Sequence, residues 1–475
     1  MKKIGILVVA YNAASTLAQV LDRIPEGFQG DIHEVLVGDD HSQDSTYLVG
    51  LGYQSMSELP LTIMRHPANL GYGGNQKWGY EYAIEHGWDV VVLLHGDGQY
   101  APELLPAMVQ PIVDGQAEAV FGSRIMHKGE ARRGGMPAYK YLGNRILTTF
   151  ENAVVGTDLS EWHSGYRAYD VHALAKLPFQ ANSDGFNFDT EIIIQLHEAG
   201  FRIEEIPIPT YYGDEICYVD GMKYAKDVTK DVLRYRAHKM GFGSGSTAFA
   251  TSAYDLKESA DSSHGALLRW MGMRPPSRVL DLGCSDGAVG AHLMAMGHEV
   301  VGIDIEEHKG VRERLADFHQ ADLDAGIPDG VGDAFDVIVA ADVLEHVRHP
   351  ERLLAEMRAH LRPGGSVITS IPNFGHWYPR ARVALGRFDY DARGILDRGH
   401  LRFFTRRSFA AMVEREGWEI RRRESVGLPL DVVDRGGSGS GKGGLRRLVA
   451  RADRAAVSVR PQLFAYQFLY ELAPR

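Results

Sequence analysis

The sequence predicts an α/β protein built from two domains, each with a largely parallel β-sheet. Three observations lead to this prediction. The chain has 475 residues, whereas one ordinary domain has about 100–200 residues. Short apolar runs alternate with helical patterns through both halves, which is typical of βαβ units. A stretch of small residues without periodicity, Gly241 to Thr247, lies between the halves and indicates a linker.

These patterns assign residues 1–240 to a first domain, 241–253 to a linker and 254–435 to a second domain. Residues 436–475 begin with a glycine-rich stretch and continue with apolar residues at helical spacing among arginines. We therefore expect a flexible stretch followed by an amphipathic C-terminal segment. The pattern leaves two roles open for that segment, packing against a domain or docking on an anionic membrane surface.

Composition and charge exclude several classes of protein. The formal net charge of −11 argues against general binding of nucleic acid. Two cysteines, Cys217 and Cys284, cannot form a disulfide framework or a cysteine-rich zinc site. The apolar run Ile4–Ala10 is short for a secretory signal, and no run reaches the roughly 18 apolar residues of a transmembrane segment. We expect a cytoplasmic protein, with peripheral contact to the inner face of the membrane as an open addition.

The first half contains five predicted strands, and polar side chains follow several of them. The strands are Ile4–Ala10, Glu34–Gly38, Leu61–Arg65, Val90–Leu94 and Ala119–Gly122. Ligands of open α/β sheets bind at the carboxyl ends of the parallel strands. Tyr11 and Asn12 follow the first strand, and the acidic and hydroxyl-bearing residues 39–45 follow the second. We expect a binding site there, with helix capping as the alternative for Ser42 and Asp44.

The fourth strand runs into His95, Asp97 and Gln99, which are spaced two residues apart. An extended chain would direct all three side chains the same way. A carboxylate at that point can hold a divalent cation against a diphosphate, where charge develops on a departing nucleoside diphosphate. We therefore predict that His95, Asp97 and Gln99 bind a metal ion.

The order of short motifs in the first half resembles the family 2 inverting glycosyltransferases, and within them the dolichyl- and polyprenyl-phosphate sugar transferases. The resemblance covers about residues 4–235 and implies a GT-A nucleotide-sugar-binding fold. The motifs, in chain order, are Tyr11-Asn12, Asp39 to Asp44, Asn69 to Asn75, Asp97-Gly98-Gln99 with Pro102-Glu103, Phe121 to Arg124, Gly143-Asn144-Arg145, Ser164 to Arg167, and Glu204 to Pro207.

The resemblance also implies roles for individual residues. Asp40 should contact the nucleobase, Asp97 and Gln99 should serve the cation and the diphosphate, and two arginines should face phosphate. His95 stands where the family usually has an acid, and it either favours Mn²⁺ over Mg²⁺ or only positions the loop. The expected nucleotide-sugar-binding residues are Tyr11, Asn12, Asp40, Asn69, Gly71, Arg124 and Arg167.

Asp189 and Glu191 fall where many members of that family place an acid beside the acceptor. The alternative for Asp189 is an acid at a helix N-terminus, where the helix dipole favours it. A sugar hydroxyl as acceptor would need Asp189 as a catalytic base, in addition to Asp97 at the cation. A lipid phosphate is already ionised and needs no strong base. The Q-x-x-R-W motif of processive polysaccharide synthases is missing from the sequence, which favours transfer of a single sugar.

The second half has four predicted strands, Arg278–Leu282, Glu299–Ile303, Phe335–Ala340 and Ser366–Ser370. The first strand runs into a glycine-bearing turn that lets the backbone approach a ligand closely. The second strand is followed by Asp304, an acid suited to ribose hydroxyls. A dinucleotide-binding fold shares this arrangement, so the turn alone leaves the ligand open.

Additional motifs make the second half resemble the class I S-adenosylmethionine-dependent methyltransferases, especially the ubiquinone-biosynthesis O-methyltransferases. They are Asp281 to Gly287, Asp322, Phe335 to Val347, and Leu361 to Gly365. The resemblance covers about residues 254–430 and implies a Rossmann-like fold. It implies S-adenosylmethionine binding by Asp281, Gly283, Ser285, Gly287, Asp304, Asp322 and Asp342. His346 and His400 are candidate catalytic bases, with a structural role as the alternative.

These predictions combine into a bifunctional enzyme of cell-envelope glycan biosynthesis. The first half would transfer one sugar from a nucleotide-sugar donor to a polyprenyl-phosphate or glycan acceptor, with Mn²⁺ or Mg²⁺. The second half would methylate a related glycan or lipid-linked product with S-adenosylmethionine. The alternative is a glycosyltransferase that acts on polysaccharide hydroxyls, with one half serving as a non-catalytic ligand-binding or regulatory module.

Overall fold

The computed structural model describes residues 2–127, 129–210, 220–243, 262–391, 393–428 and 443–475, with the backbone alone for residues 443–449. The chain divides into two compact units, of which the first ends at Arg236 and the second begins at Ala237. Most of the predicted linker, from residue 244 onward, lies outside the described residues, as does Cys217. Residues 241–243 belong to the second unit.

A seven-stranded sheet in the order β3-β2-β1-β4-β6-β5-β7 forms the centre of the first unit. β6 is antiparallel to β4 and β5, and the other pairs are parallel. The strands are β1 (Ile4–Ala10), β2 (Ile32–Asp39), β3 (Leu61–Arg65), β4 (Val90–His95), β5 (Ala119–Ser123), β6 (Arg167–Asp170) and β7 (Ile203–Pro207). The helices are α1 (Leu17–Asp22), α2 (Glu26–Gln29), α3 (Thr46–Met56), α4 (Tyr72–Glu85), α5 (Leu105–Val113), α6 (Glu130–Arg133), α7 (Ala138–Val155), α8 (Val171–Leu174), α9 (Phe188–Glu198) and α10 (Gly221–Lys239), the last of which crosses the boundary between the units.

Helices cover both faces of this sheet, so the central strand β1 and the first five residues of β4 carry only apolar residues and glycine. Ile6 and Val8 of β1 join the core on one face, and Leu7 joins the core on the other. Gly79 brings α4 close to β1, because a Cβ atom there would lie 2.3 Å from a methyl carbon of Leu7. This close packing places the beginning of α4 beside the carboxyl ends of β1 and β2.

The second unit contains another seven-stranded sheet, in the order β10-β9-β8-β11-β12-β14-β13. β14 is antiparallel to both neighbours, and the other pairs are parallel. The strands are β8 (Arg278–Leu282), β9 (Glu299–Asp304), β10 (Asp317–Gln320), β11 (Phe335–Ala341), β12 (Leu361–Pro372), β13 (Trp418–Val426) and β14 (Gln467–Pro474). The helices are α11 (Ser263–Met271), α12 (Ala288–Ala295), α13 (Val311–Arg314), α14 (Pro350–His360), α15 (Trp377–Ala384), α16 (Arg406–Arg415), α17 (Gly443–Val459) and α18 (Pro461–Phe464).

All of the predicted strands are present, and the two-domain α/β fold class is confirmed. The end of the chain differs from the prediction, which placed residues 436–475 in a separate C-terminal segment. Residues 467–474 form β14, which lies inside the second sheet between β12 and β13. Phe468, Leu469 and Leu472 are buried there. None of the helices among the described residues is both long enough and apolar enough to cross a bilayer.

Candidate active sites

The strand order of the first unit reverses between β1 and β4. In open α/β sheets the ligand-binding crevice lies at such a point, outside the carboxyl ends of the strands. Asn12 is the second residue after β1 and has a φ of 50°. Its backbone N–H donates to Ser42 Oγ (2.9 Å), and its side-chain Oδ1 accepts from the Gln43 N–H (2.8 Å). These bonds join the end of β1 to the segment after β2. Tyr11, 39% exposed, lies at this edge.

Asp40 fixes the loop that precedes α4. Its Oδ1 accepts from the Leu70 N–H (2.6 Å) and its Oδ2 accepts from the Gly71 N–H (3.0 Å). Asn69 completes the connection by donating from Nδ2 to the Asp40 carbonyl (3.0 Å). Burial raises the pKa of Asp40, although both backbone bonds oppose the shift. Because Asp40 is only 4% exposed, its direct role is to hold this loop, and contact with a nucleobase stays a prediction.

The structure corrects the predicted alignment of His95, Asp97 and Gln99. β4 ends at His95, and the chain turns at Gly98, whose φ is 79°. The Asp97 carboxylate then accepts the Gln99 N–H (3.0 Å) within this turn. The three side chains therefore do not follow one extended strand. Asp97 remains close to His95, since its charge acts on the pKa of the imidazole.

A buried polar cluster lies beside this turn. Tyr72, the first residue of α4, donates from its hydroxyl to Asp189 Oδ2 (2.9 Å) and lies 3.4 Å from His95 Nε2. Burial is the main cause that lowers the pKa of His95, and burial also raises the pKa of Tyr72 far above its ordinary value. The imidazole of His95 is thereby kept neutral. Tyr72 was not among the predicted site residues, although it belongs to the 69–75 motif.

Arg167 is enclosed by the protein, and its predicted contact with phosphate stays a prediction. Its side chain is 1% exposed, and its guanidinium donates to the carbonyls of Ser164 (2.8 Å), Asp189 (3.1 Å) and Trp162 (2.8 Å). An Asp189 carboxylate oxygen lies 3.5 Å away. The ring of Phe121 lies beneath the guanidinium, so Arg167 contacts four residues and holds the walls of the cluster together.

Arg124 is also engaged by the protein. Its guanidinium pairs with the buried carboxylate of Glu161, and it donates to the carbonyl of His163 (2.9 Å). Burial acts to raise the pKa of Glu161, but Arg124 holds it below the ordinary value. The arginine is therefore fixed as a cation by an ionised partner. Its predicted contact with phosphate stays a prediction, and Glu161 is a residue that sequence reasoning missed.

In the second unit, β8 and β11 flank the corresponding crevice. The turn after β8 passes through Gly283, Ser285 and Gly287 with positive φ values of 69°, 51° and 79°. Ser285 stands where the resembled family usually has glycine, and its left-handed backbone costs about 1 kcal/mol. Its N–H donates to Asp304 Oδ2 (2.8 Å) at the end of β9. The turn is thus held open by an acid from the neighbouring strand.

The remaining predicted acids occupy different environments. Asp281 is 3% exposed, and burial together with the charge of Asp304 raises its pKa to about 7. Asp322 lies on the surface side and accepts the Asp324 N–H (2.9 Å). Asp342, directly after β11, accepts from the Ser370 hydroxyl and from Gln467 Nε2 (2.9 Å). Gln467 is the first residue of β14, so the last strand contributes a residue to this edge that was not predicted.

His346 and His400, predicted as alternative bases, come together. Their ring centroids are 4.8 Å apart. Glu345 joins them, and one ligand atom from each of these three residues lies within 4.8 Å of the others. Burial is the main cause that lowers the pKa of His400, and His346 adds to the effect. Glu345 was not predicted as a site residue. The sequence could have indicated it, because Glu345 directly precedes His346 after a predicted strand.

Each unit has an open α/β sheet with polar residues at the strand ends next to β1 or β8. This arrangement defines a two-domain α/β enzyme. Comparison with known protein families identifies the class of each domain. Residues 5–177 match the family described as glycosyl transferase family 2, and residues 259–422 match a family described as a methyltransferase domain. The chain therefore contains a family 2 glycosyltransferase domain followed by a methyltransferase domain, which confirms the predicted class of each half.

Curated relatives match the first half. The chain is 28% identical over 230 residues to the UDP-N-acetylglucosamine–dolichyl-phosphate N-acetylglucosaminyltransferase of Methanococcus voltae, covering 45% of this chain and 87% of the relative. It is 26% identical over 204 residues to the polyprenol monophosphomannose synthase of Mycolicibacterium smegmatis, covering 43% and 75%. The solved glucosyl-3-phosphoglycerate synthase of Mycobacterium tuberculosis with UDP aligns over 49% of this chain and 79% of its own, with 18% identity and a TM-score of 0.38.

Proposed function

We propose that the first unit transfers one sugar from a nucleotide-sugar donor to a polyprenyl phosphate, and that the second unit uses S-adenosylmethionine to methylate a related glycan or lipid-linked product. The observation that carries the first part is the match to polyprenyl-phosphate sugar transferases. It spans most of the length of those relatives and nearly all of the first unit. The reaction would take place at the inner face of a membrane, which the chain approaches peripherally.

The environment of Asp189 supports a phosphate acceptor over a sugar hydroxyl. The carboxylate is 6% exposed, accepts the Tyr72 hydroxyl and lies beside the Arg167 guanidinium. A carboxylate that is enclosed in this way is hard to reach for a hydroxyl arriving from solvent, and a catalytic base must lie within hydrogen-bond distance of the proton it removes. A phosphate acceptor is already ionised and needs no such base. Asp189 then serves to orient Tyr72 at the edge of the site.

Asp97 is the residue best placed to hold Mn²⁺ or Mg²⁺. Its bond to Gln99 uses Oδ1, which leaves Oδ2 for a cation. The cation would neutralise the charge that develops on the departing nucleoside diphosphate. Because its pKa is lowered by burial, His95 is neutral and can either complete the coordination or position the turn.

The turn after β8 supports binding of S-adenosylmethionine. Its three positive-φ residues bring the backbone to the ligand without side-chain obstruction at the glycines. Asp304 at the end of β9 can accept hydrogen bonds from ribose hydroxyls while it holds the Ser285 N–H. Methyl transfer then depends on the alignment of the acceptor oxygen with the methyl group.

The sugar-transfer proposal is tested by incubating the full chain with radiolabelled UDP- and GDP-sugars, Mn²⁺ or Mg²⁺ and a membrane lipid extract. Organic-soluble label from one donor is the expected result, lost in Asp97→Asn and retained in the surface variant Asp31→Asn. Label found only in water-soluble glycan, with loss of transfer in Asp189→Asn, would favour polysaccharide hydroxyls as acceptors instead.

The methyl-transfer proposal is tested with the lipid-linked product of that first reaction and S-adenosylmethionine labelled in its methyl group. We expect label to enter the product in wild type and to be lost in Asp304→Asn. Tight binding of S-adenosylmethionine without turnover, across a panel of glycan and lipid acceptors, would favour a non-catalytic second unit.

A further inference from the structure

Three polar side chains of the first unit form a connected row beside the cluster of His95 and Asp189, here called the Tyr-His-Glu row. Tyr224 is on α10, His163 lies in the loop before β6, and Glu151 is on α7. The Tyr224 hydroxyl lies 2.8 Å from His163 Nδ1, and His163 Nε2 lies 3.1 Å from Glu151 Oε2. None of the three residues was predicted as a site residue.

The buried end of the row determines where its protons lie. Glu151 is fully buried, and its Oε1 accepts the Thr190 hydroxyl (3.2 Å). Glu151 Oε2 and His163 Nε2 have no hydrogen-bond partner elsewhere among the described residues. Because a carboxylate oxygen can only accept, the proton of the neutral imidazole is held at Nε2. His163 Nδ1 is then an acceptor, and the Tyr224 hydroxyl donates to it.

The oxygen of Tyr224 therefore presents only lone pairs to a ligand. Its single proton is directed to His163, and desolvation by the surrounding protein raises the pKa of the hydroxyl far above its ordinary value, so the phenol stays neutral. The side chain is half-buried and can meet a molecule that binds from solvent. A phosphate oxygen does not suit this position because both atoms would be acceptors, whereas a sugar hydroxyl can donate to it.

Contacts of His163 place the row at the diphosphate end of the proposed donor site. The His163 carbonyl accepts from the Arg124 guanidinium (2.9 Å), and the charge of Arg124 also acts on the Tyr224 hydroxyl. Two residues after His163, a Cβ atom on Gly165 would lie 2.8 Å from His95 Nε2. His95 ends β4 directly before the turn proposed to hold the cation and the diphosphate. A sugar joined to that diphosphate would lie within reach of the row.

We propose that Tyr224 accepts a hydrogen bond from a hydroxyl of the donor's sugar and is a specificity-determining residue for that sugar. His163 and Glu151 are positioning residues, which act through Tyr224 by keeping its proton away from the ligand. This role rests on the proposed use of a nucleotide-sugar donor and is independent of the acceptor. It gives the row a function that requires no proton transfer, as expected when the acceptor phosphate is already ionised.

The contact is tested by calorimetric titration of the full chain at pH 8 with Mn²⁺ and without acceptor. The probes are UDP and GDP, their sugar conjugates, and deoxy analogues of the conjugate that binds, each lacking one sugar hydroxyl. We expect Tyr224→Phe to weaken binding of the nucleotide sugar by about three- to tenfold and to leave binding of the nucleoside diphosphate unchanged. One deoxy analogue should bind equally to wild type and Tyr224→Phe, because it lacks the hydroxyl that donates.

Tyr53→Phe is the matched control. The Tyr53 hydroxyl also donates to a side chain, that of Asp22 (2.8 Å), but it lies on α3 outside the cluster. Its removal should leave the affinities for both the nucleotide sugar and the nucleoside diphosphate at their wild-type values.

Glu151→Gln tests the direction of the protons. A glutamine amide can donate to His163 Nε2, which moves the imidazole proton to Nδ1 and makes the Tyr224 oxygen the acceptor of that bond. We expect weaker binding of the nucleotide sugar in Glu151→Gln, and no further loss when this change is added to Tyr224→Phe. A merely structural effect of Glu151→Gln would persist in the double variant. Thermal unfolding identifies the variants that fold, and the Tyr224→Phe measurements decide the contact if Glu151→Gln does not.

An unchanged affinity of Tyr224→Phe for the nucleotide sugar would overturn the contact and leave the proposed function intact. Equal losses for the nucleoside diphosphate and for its sugar conjugate, or for every deoxy analogue, would also overturn it. A wild type that binds no nucleotide sugar would contradict the proposed function and the contact together.

Discussion

At the scale of single residues, Asp281 shows how burial couples a binding site to stability. Its carboxylate lies at the end of β8, and its Oδ2 has no hydrogen-bond partner among the described residues. The pKa is raised from 3.8 to about 7, by burial first and by Asp304 second. Between these values the folded protein holds a proton that the unfolded chain has lost. Stability therefore falls as the pH rises through this window.

Replacing Asp281 by asparagine should remove that pH dependence. One proton corresponds to about 1.4 kcal/mol per pH unit, so we expect Asp281→Asn to stabilise the second unit more at pH 8 than at pH 5. Thermal unfolding at the two values, without methyl donor, measures the difference, with exposed Asp329→Asn as control. Equal shifts at both pH values would show that Asp281 is already ionised when folded.

Gly165 supports a second prediction at this scale. A Cβ atom at this position would lie 2.6 Å from the Tyr72 hydroxyl and 2.8 Å from His95 Nε2. Gly165→Ala should therefore displace one of these rings, lower the free energy of unfolding of the first unit by about 1–3 kcal/mol and reduce sugar transfer. Gly143→Ala is the matched control, because nothing lies within 4 Å of its Cβ. Wild-type sugar transfer by Gly165→Ala would contradict the assignment of Tyr72 and His95 to the site.

Motifs in the sequence identified residues but not the direction of their side chains. Arg167 was expected at a phosphate because arginine in that motif can serve one, yet it donates to three backbone carbonyls inside the unit. Asp40 was expected at a nucleobase, yet it accepts two backbone N–H groups. The Asp40 partner Leu70 is 30 residues away in the chain and the Arg167 partner Asp189 is 22 residues away, and local spacing carries no information about such contacts.

At the scale of elements, the sequence predicted most of the parallel strands but not β7 and β10, and it predicted none of the antiparallel strands β6, β13 and β14. β1 and β11 are continuous apolar runs followed by polar residues, which is a strong local signal. β6 has four residues and β13 is rich in arginine and glutamate, so neither gives a clear period. β14 is buried on both faces, and its apolar run continued the helical spacing of α17. The turn at Gly98, which separates the directions of Asp97 and Gln99 from that of His95, was likewise not predicted.

The inner position of β14 leads to a prediction for Leu472. This residue is fully buried and pairs with Val367 of β12 and Ile420 of β13. We expect Leu472→Ala to lower the free energy of unfolding of the second unit by about 2–5 kcal/mol. Leu385→Ala is the control, since Leu385 is 76% exposed and its truncation should cost less than about 0.5 kcal/mol. A similar small effect for both would mean that the C-terminal residues are a separate segment in solution.

At the scale of the whole molecule, the chain joins two units whose sheets have different strand orders and different strand-end residues. Joining two enzymes raises the effective concentration at which a product of one meets the other. That benefit requires both units to be active in the same chain. It also requires each unit to bind its own substrate independently of the other.

Two variants of the full chain test this independence. Asp97→Asn should abolish sugar transfer while S-adenosylmethionine binds with wild-type affinity, because Asp97 serves only the first unit. Asp304→Asn should weaken S-adenosylmethionine binding by about tenfold or more, since it removes the charge that meets the ribose and holds the Ser285 N–H. Its sugar transfer should be unchanged. Calorimetric titration and the radiolabel assay, applied to both variants, measure the four quantities. If either variant impaired both activities at equal folded fraction, the two units would be coupled and independent sites would be the wrong description.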